Sequence, residues 1–224
     1  EVLRYRGLVA FDASGRALRA WMELKGQELW LRVDDGAARY PVTIDPFIQQ
    51  AKLTASDGAA NDFFGGSLAI SGDTVVVGAS WDAIGANRIQ GSAYVFVKPM
   101  GGWRSVTETA KLTASDGSEF DEFGSSVAID GDSVVVGAVF GDGANADQGS
   151  AYVFVKPARG WRSMTETAKL PASDGETFEY LGRSVAISGD TVVVGAPEDD
   201  VGANPSQGSA YVFVKPMGGW RSVT

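Results

Sequence analysis

Cysteine and histidine are both absent from this sequence. Without cysteine the chain can form no disulfide, no thiolate nucleophile and no thiolate-ligated metal site. Without histidine it lacks the side chain that most often serves as general base, the Ser-His-Asp and Cys-His catalytic arrangements, and the ligand of most zinc sites. Acid–base catalysis would therefore depend on carboxylates, lysine or tyrosine alone, which argues against an enzyme.

Positive charge is scarce, and long apolar runs are missing. Residues 1–50 carry seven basic and seven acidic side chains, so the net charge of −9 arises entirely from residues 51–224. An acidic surface repels the phosphate backbone, which disfavours nucleic acid as a partner. Because no apolar segment approaches the roughly 20 residues that a membrane-spanning helix needs, no membrane insertion is predicted.

One unit is repeated three times in the glycine- and valine-rich remainder of the chain. Residues 51–58 recur at 110–117 and, with one proline, at 168–175, so that successive units begin 59 and 58 residues apart. Periods of this length are typical of propeller and solenoid arrays, in which each unit buries its faces against its neighbours. Such proteins usually act through an extended surface, which also disfavours a catalytic function.

Each unit is predicted to contain four short strands. In the second unit they cover residues 103–112, 126–129, 134–138 and 149–155. Three consecutive valines in the third strand show no alternation of polarity, which favours a central strand covered on both faces. A proline ends the fourth strand because it has no amide hydrogen to donate to a sheet. The pattern predicts an all-β fold, a propeller-type array of four-stranded antiparallel blades.

Residues 1–46 do not match the repeat and are predicted to form a separate β-rich segment. Its strands are expected at 3–11, 17–24, 28–33 and 40–44. Asp45-Pro46 marks the predicted boundary to a second region, 47–224, with repeats at about 51–109, 110–167 and 168–224. Whether the first segment is a cap blade or the end of a preceding β-domain stays open.

Two short motifs flank the second and third strands of every unit. The first reads Phe-Gly or Leu-Gly, at 64–65, 123–124 and 181–182. The second reads Gly-Ala, at 78–79, 137–138 and 195–196, and continues to proline in the last unit. In these motifs the chain resembles the FG-GAP repeat family, the blade motif of integrin-alpha-like β-propellers and of bacterial secreted proteins. The resemblance implies a seven-bladed propeller in the complete assembly, and adhesion or ligand binding outside the cytoplasm.

The sequence differs from that family in the residues that could bind calcium. Integrin-type blades carry a loop of alternating acidic residues between the two motifs, and calcium takes about 6–8 oxygen ligands. The matching turns, 70–74, 129–133 and 187–191, offer one carboxylate each, or two in the second unit. A hairpin turn with Gly and Asp selected for backbone geometry is favoured. The family's calcium residues therefore do not carry over, and no cofactor is assigned.

Acidic turns after the first strand are the other place where calcium could bind. Oxygen-rich loops hold this ion, but Ser-Asp-Gly turns are also common as solvated loops, and the second interpretation is favoured. Calcium stays the alternative. The candidate ligands from both kinds of turn are Asp57, Asp62, Asp116, Asp121, Asp130, Asp132, Asp174 and Glu179.

A Trp-Arg pair begins the same segment of successive units, at Trp103, Trp161 and Trp220. Such a series either stacks against a carbohydrate ligand or packs between blades. Packing is favoured because a tryptophan buries a large apolar area. A ligand-stacking surface remains the alternative.

Three blades do not close a propeller, which usually needs about 4–8 of them. The array is expected to be completed by further repeats of a longer parent chain or by other copies of itself, through strand donation. The predicted function is non-catalytic binding or adhesion to a protein or glycan ligand, outside a bacterial cell or on its surface. The alternatives are a structural protein that assembles into a ring or filament, and a carbohydrate-active enzyme whose catalytic domain lies elsewhere.

Overall fold

The structure, a computed structural model, describes residues 8–26, 28–46, 50–143 and 145–222. All regular elements in these residues are β-strands, which confirms the predicted all-β class. Within the same residues no helix is long and apolar enough to cross a membrane. The chain divides into two compact units, Glu1–Gln50 and Ala51–Thr224.

The N-terminal unit contains two small antiparallel sheets. One pairs β1 (Leu8–Phe11) with β2 (Ala17–Leu18) and β5 (Thr43–Pro46), and the other pairs β3 (Ala20–Lys25) with β4 (Glu28–Val33). The single strand predicted at 17–24 is therefore two strands in different sheets. The strand predicted at 40–44 begins at Thr43 and includes Asp45 and Pro46. Residues 3–7 of the first predicted strand lie outside the described residues.

The C-terminal unit contains three sheets. The first holds β6 (Ser67–Ser71), β7 (Thr74–Ala79), β8 (Ser92–Val97) and β9 (Ala110–Thr113), with the two-residue β13 (Met164–Thr165) parallel to β9. The second holds β10 (Phe123–Asp130), β11 (Ser133–Ala138), β12 (Ser150–Val155) and β14 (Ala168–Leu170). The third holds β15 (Ser184–Ser188), β16 (Thr191–Ala196) and β17 (Ser209–Val214). These sheets correspond to propeller-type blades.

Each complete sheet takes its outer strand from the following repeat. β9 belongs to the second repeat but pairs with β8 of the first, which places Lys111 opposite Tyr94. In the same way β14 pairs with β12 and places Lys169 opposite Tyr152. The prediction that each repeat forms its own blade is therefore wrong. The first strand is also shorter than predicted, because only residues 110–113 of the segment 103–113 form a ladder.

The central valines of β11 are covered on both sides. Val134 and Val136 belong to the core shared with the first sheet, whereas Val135 belongs to the core shared with the third sheet. All three are fully buried. The valine triplet lacks alternation because this sheet has a neighbour on each face, as predicted for an inner strand.

Adjacent sheets approach each other backbone to backbone at a glycine. A Cβ added to Gly137 would lie 2.0 Å from the carbonyl oxygen of Gly182, and a Cβ on Gly78 would lie 2.1 Å from that of Gly124. The hydroxyl of Ser126 donates a 2.7 Å hydrogen bond to the Gly182 carbonyl. The Gly-Ala motif of one repeat therefore packs directly against the Phe-Gly or Leu-Gly motif of the next repeat.

The two ends of this three-sheet array expose apolar sheet faces. Val212 of β17 is 63% exposed, whereas Val95 and Val153, at the same position in β8 and β12, are fully buried. At the other end Leu68 and Ile70 of β6 are 67% and 66% exposed. The third sheet also has no fourth strand among the described residues.

Candidate functional site

A lysine from the outer strand of the first sheet enters a cluster of two aspartates and a tyrosine. The Nζ of Lys111 lies 2.6 Å from Asp57 Oδ2 and 2.7 Å from Asp82 Oδ2. It also lies 5.1 Å from the centre of the Tyr94 ring, whose hydroxyl donates to both aspartates at 2.9 and 3.0 Å. Burial opposes the charge of Lys111, but the hydrogen bonds to Asp57 and Asp82 outweigh it and raise the lysine pKa. Through these contacts Lys111 connects the loops that contain Asp57 and Asp82 to the outer strand β9.

The second sheet repeats this arrangement. Lys169 Nζ lies 2.5 Å from Asp116 Oδ2 and 5.2 Å from the centre of the Tyr152 ring, and it donates to the backbone carbonyl of Asp142. The Tyr152 hydroxyl donates to Asp116 at 3.1 Å. Burial, reinforced by Asp116, raises the pKa of Tyr152 well above its usual range. Asp57 and Asp116, two of the candidate calcium ligands, are therefore hydrogen-bonded to lysines in this structure.

The third sheet has the acids and the tyrosine of this cluster without a lysine in the described residues. The Tyr211 hydroxyl donates to Asp174 Oδ1 at 3.1 Å and to Asp199 Oδ2 at 3.2 Å. Burial raises the pKa of Tyr211 to about 12, with both aspartates acting in the same direction. Beside them Glu179 is buried, and its Oε2 has no hydrogen-bond partner in the described part of the chain. Among the residues that the structure describes, no lysine or arginine forms an ion pair with Asp174, Asp199 or Glu179.

The hairpin turns between the second and third strands do not fit a calcium loop. In each turn the aspartate pairs with the lysine after the fourth strand: Asp73 with Lys98, Asp132 with Lys156 and Asp190 with Lys215. Asp130 accepts a 2.6 Å hydrogen bond from the amide of Gly189 in the next repeat. Calcium requires about 6–8 oxygens, whereas these exposed carboxylates are bound by one ammonium or one amide.

The buried turn carboxylates stabilise their own loops. Asp62 accepts a hydrogen bond from the amide of Ala59, and Asp121 accepts one from the amide of Ser118 at 2.7 Å. Glu179 occupies the equivalent position of the third repeat. Across residues 8–26, 28–46, 50–143 and 145–222, no group of three or more acidic side chains is arranged to hold a metal ion.

The tryptophan series lies in the apolar cores. Trp161 and Trp220 are each 7% exposed and belong to the two cores between sheets. Trp103 packs against the cluster that contains Tyr94 and Phe96. Because ligand stacking needs an accessible ring face, these positions favour packing over a carbohydrate-stacking role.

A different set of aromatic side chains is accessible, and we call it the aromatic ridge: Phe63, Trp81, Phe140, Phe178 and Tyr180. The ring centres of Phe63 and Trp81 are 4.3 Å apart, those of Phe140 and Tyr180 5.3 Å, and those of Phe178 and Tyr180 6.5 Å. Phe63 and Phe178 are more than half exposed, and Trp81 is 40% exposed.

Polar side chains connect the two halves of the aromatic ridge. Burial raises the pKa of Glu122, and the Trp81 indole and the Arg183 guanidinium act on it in the opposite direction. Glu122 and Arg183 also line an open cavity of about 350 Å³ together with Phe140 and Tyr180. The ridge therefore consists of two groups of rings, one from the first repeat and one from the second and third repeats.

Left-handed backbone occurs at three of the five ridge residues, Phe63, Phe178 and Tyr180. Phe63 and Tyr180 have φ angles of 57° and 58°, and Glu122 at the equivalent turn position has 53°. Such left-handed backbone is uncommon for residues other than glycine and clusters at functional sites. The sequence carries a signal for it: Phe63 and Phe64 are adjacent, and in a turn only one of two neighbouring rings can face the core.

Removing the buried charge of Asp121 is expected to stabilise the protein at high pH. Burial raises the pKa of Asp121 to about 6. The folded state therefore binds an extra proton, so this group favours folding below about pH 4 and loses that contribution as pH rises through about 6. We expect Asp121→Asn to be about 2 kcal/mol more stable than the unmodified chain near pH 8, with the difference vanishing near pH 4.

Urea unfolding of both chains at the two pH values measures this difference. The comparison cancels the contributions of the other titrating groups, which are common to both chains. A stability difference that is the same at both pH values would show that Asp121 is ionised throughout, contrary to the expectation.

Comparison with known proteins identifies the repeat. A family model described as the FG-GAP repeat matches residues 47–96, 106–154 and 164–213. A comparison with curated protein sequences finds no significant match. Among solved structures, the chain is similar to the computationally designed Ika4 protein, at 17% identity over 75% of this chain and 98% of that chain, with a TM-score of 0.34. Because the three FG-GAP matches span most of its length, the chain belongs to the FG-GAP repeat family.

Proposed function

We propose that this protein is a non-catalytic binding and adhesion module that acts outside the cell or on its surface, and that the aromatic ridge is its ligand-binding surface. The observation that carries the proposal is the set of aromatic side chains contributed by all three repeats, of which Phe63, Trp81 and Phe178 are exposed. Aromatic residues and arginine are enriched where proteins bind one another.

The ligand that fits this surface best is another protein. Rigid rings with an arginine and a glutamate between them supply apolar contact and polar orientation, as in the central residues of protein interfaces. The ridge extends over several repeats, which suits an extended partner better than a small molecule. The absence of histidine and cysteine from the sequence supports a binding role over a catalytic one.

Alanine substitutions in the ridge test this proposal. Binding of the whole chain is measured against panels of extracellular proteins and of glycans, and the variants Trp81→Ala and Phe178→Ala are compared on whatever binds. We expect each to weaken binding by about tenfold or more. Met100→Ala and Met217→Ala are matched controls, because both methionines are fully exposed apolar side chains outside the ridge.

Three results would contradict the proposal. They are binding that the ridge variants leave unchanged, binding that the methionine controls weaken equally, and catalytic turnover by this chain alone. If the ridge binds glycans and no protein, the proposed binding function stands, but the ligand is a glycan and not a protein.

A further inference from the structure

The open cavity beside the aromatic ridge lies between the turns of the second and third repeats. Its volume is about 350 Å³, and it is lined by Glu122, Val139, Phe140, Tyr180 and Arg183. Small-molecule sites in proteins are concave spaces of about 300–1,000 Å³ with mostly apolar or aromatic walls and a few polar groups. This cavity has that composition, and its volume is at the lower end of the range. It therefore suits a small ligand.

The two charged residues of the cavity carry opposite charges and are not paired directly. The Arg183 guanidinium influences the Glu122 carboxylate electrostatically. However, none of the ion pairs among the described residues includes Glu122 or Arg183. Arg183 is also exposed, so that its guanidinium is accessible from solvent. Both charged groups are therefore available to a ligand.

Glu122 offers a site for a cation. Burial raises its pKa in spite of the opposing effects of the Trp81 indole and the Arg183 guanidinium. The ionised carboxylate is thus incompletely compensated by its surroundings, and a further cation beside it would stabilise it. An ammonium group is suitable because it is a compact cation with three hydrogen-bond donors, and charge-assisted hydrogen bonds are the strong ones.

Arg183 offers the matching site for an anion. It lies directly before β15, and its amide donates a 3.0 Å hydrogen bond to the Tyr180 carbonyl, which fixes the turn that carries the side chain. The planar guanidinium group binds a carboxylate through two parallel hydrogen bonds. The cavity therefore combines one position for an ammonium group with one for a carboxylate.

Phe140 and Tyr180 supply the apolar wall of the cavity. Their ring centres are 5.3 Å apart and their planes are inclined at 83°, an edge-to-face arrangement that aromatic pairs prefer. Both residues are half-buried, so each ring packs partly against the protein and partly faces the cavity. An apolar side chain of a ligand would bury its surface against these two rings.

The charge pair distinguishes this junction from the preceding one, although the repeats are otherwise nearly identical. Residues 92–97 and 150–155, for example, have the same sequence. At the junction of the first and second repeats, Phe63 and Ser125 occupy the positions of Glu122 and Arg183. Residues that stack the units of a repeat array are needed in every unit. A charge pair at one junction alone therefore indicates a role other than stacking.

From these observations we propose that the cavity binds a free α-amino acid with an apolar side chain. Its ammonium group lies against Glu122, its carboxylate accepts hydrogen bonds from Arg183, and its side chain packs against Phe140 and Tyr180. Such a zwitterion satisfies both charged groups at once, whereas a ligand with a single charge leaves one of them without a partner. This site goes beyond the proposed binding function, because it needs no macromolecular partner.

Calorimetric titration of the whole chain with three related probes tests the proposal. L-phenylalanine carries both charges, N-acetyl-L-phenylalanine retains only the carboxylate, and L-phenylalaninamide retains only the ammonium group. We expect the two analogues to bind about tenfold or more weakly than L-phenylalanine, since each loses one charge-assisted contact. An analogue that binds as tightly as L-phenylalanine would indicate a site for a chain terminus of a protein and overturn the proposal. So would the absence of binding by both L-phenylalanine and L-leucine up to about 10 mM.

Two variants assign the charges to their residues. Glu122→Gln should weaken L-phenylalanine about tenfold or more without weakening the N-acetyl analogue, and Arg183→Gln should do so without weakening the amide. Glu119→Gln and Arg162→Gln are matched controls, because they remove the same charges at exposed positions outside the cavity. If the controls weaken L-phenylalanine binding equally, net charge is responsible and the proposal is wrong.

Failure of this proposal and failure of the ridge function are recognised separately. Trp81 and Phe178, which are replaced to test the ridge, do not line the cavity. Macromolecular binding that depends on these two residues, without binding of amino acids, would overturn the amino-acid site and leave the ridge function. Binding of L-phenylalanine without any macromolecular ligand would do the reverse.

Discussion

Replacement of Gly137 by alanine is expected to destabilise the C-terminal unit by about 3 kcal/mol or more, because overpacking against rigid backbone cannot be relieved by a rotamer change. The added Cβ would lie 2.0 Å from the carbonyl oxygen of Gly182 and 2.9 Å from its carbon. To accommodate it, the second and third sheets would have to separate. The separation would also break the hydrogen bond from Ser126 to the same carbonyl.

Gly195→Ala is the matched control, at the same strand position of the third repeat. Its Cβ would meet the Ser184 hydroxyl at 2.5 Å, and the other neighbours lie 3.8 Å away. A hydroxyl can rotate to another rotamer, so we expect a loss below about 1 kcal/mol. Urea unfolding at low protein concentration compares the two variants. Similar losses would show that contact between sheets is not the reason for glycine at this position.

The central strands of each sheet were predictable because their signals are local. Val134, Val135 and Val136 lie next to each other, and the lack of alternation reports burial on both faces. The Gly-Asp hairpin turn connects strands that are also neighbours in sequence. Local periodicity and turn chemistry therefore identified β6, β7 and their counterparts with small errors at the ends.

The outer strand was assigned to the wrong blade because the local sequence of a strand does not show which repeat it pairs with. β9 pairs with β8, and the pattern at 110–113 is the same whichever sheet it joins. The lysine cluster was missed for the same reason. Lys111 and Asp57 lie 54 positions apart in the chain, and only the exchanged strand brings them together.

The aromatic side chains were interpreted from composition, which does not distinguish inward from outward rings. Trp161 recurs once per repeat and is buried. Phe178 belongs to a turn that drifts in sequence between repeats, yet it is more than half exposed. The direction of a ring in such a turn depends on a positive φ angle, and a positive φ is difficult to predict for residues other than glycine.

Replacement of Lys111 by methionine is expected to destabilise the protein by about 2 kcal/mol or more, because removal of one member of a buried ion pair leaves the other charge without compensation. The ammonium group contacts Asp57 and Asp82, and the side chain of Asp82 is only 7% exposed. Methionine retains most of the apolar stem of lysine, so the loss reports the charge and its hydrogen bonds rather than packing.

Lys98→Met is the matched control, because Lys98 pairs with Asp73 at a hairpin where both side chains are exposed. Exposed pairs contribute up to about 1 kcal/mol, so this variant should unfold at nearly the urea concentration of the unmodified chain. A double variant that combines Lys111→Met with Asp82→Asn should recover part of the loss, since the buried charge is removed with its partner. If Lys111→Met is no more damaging than Lys98→Met, the cluster does not lock the outer strand.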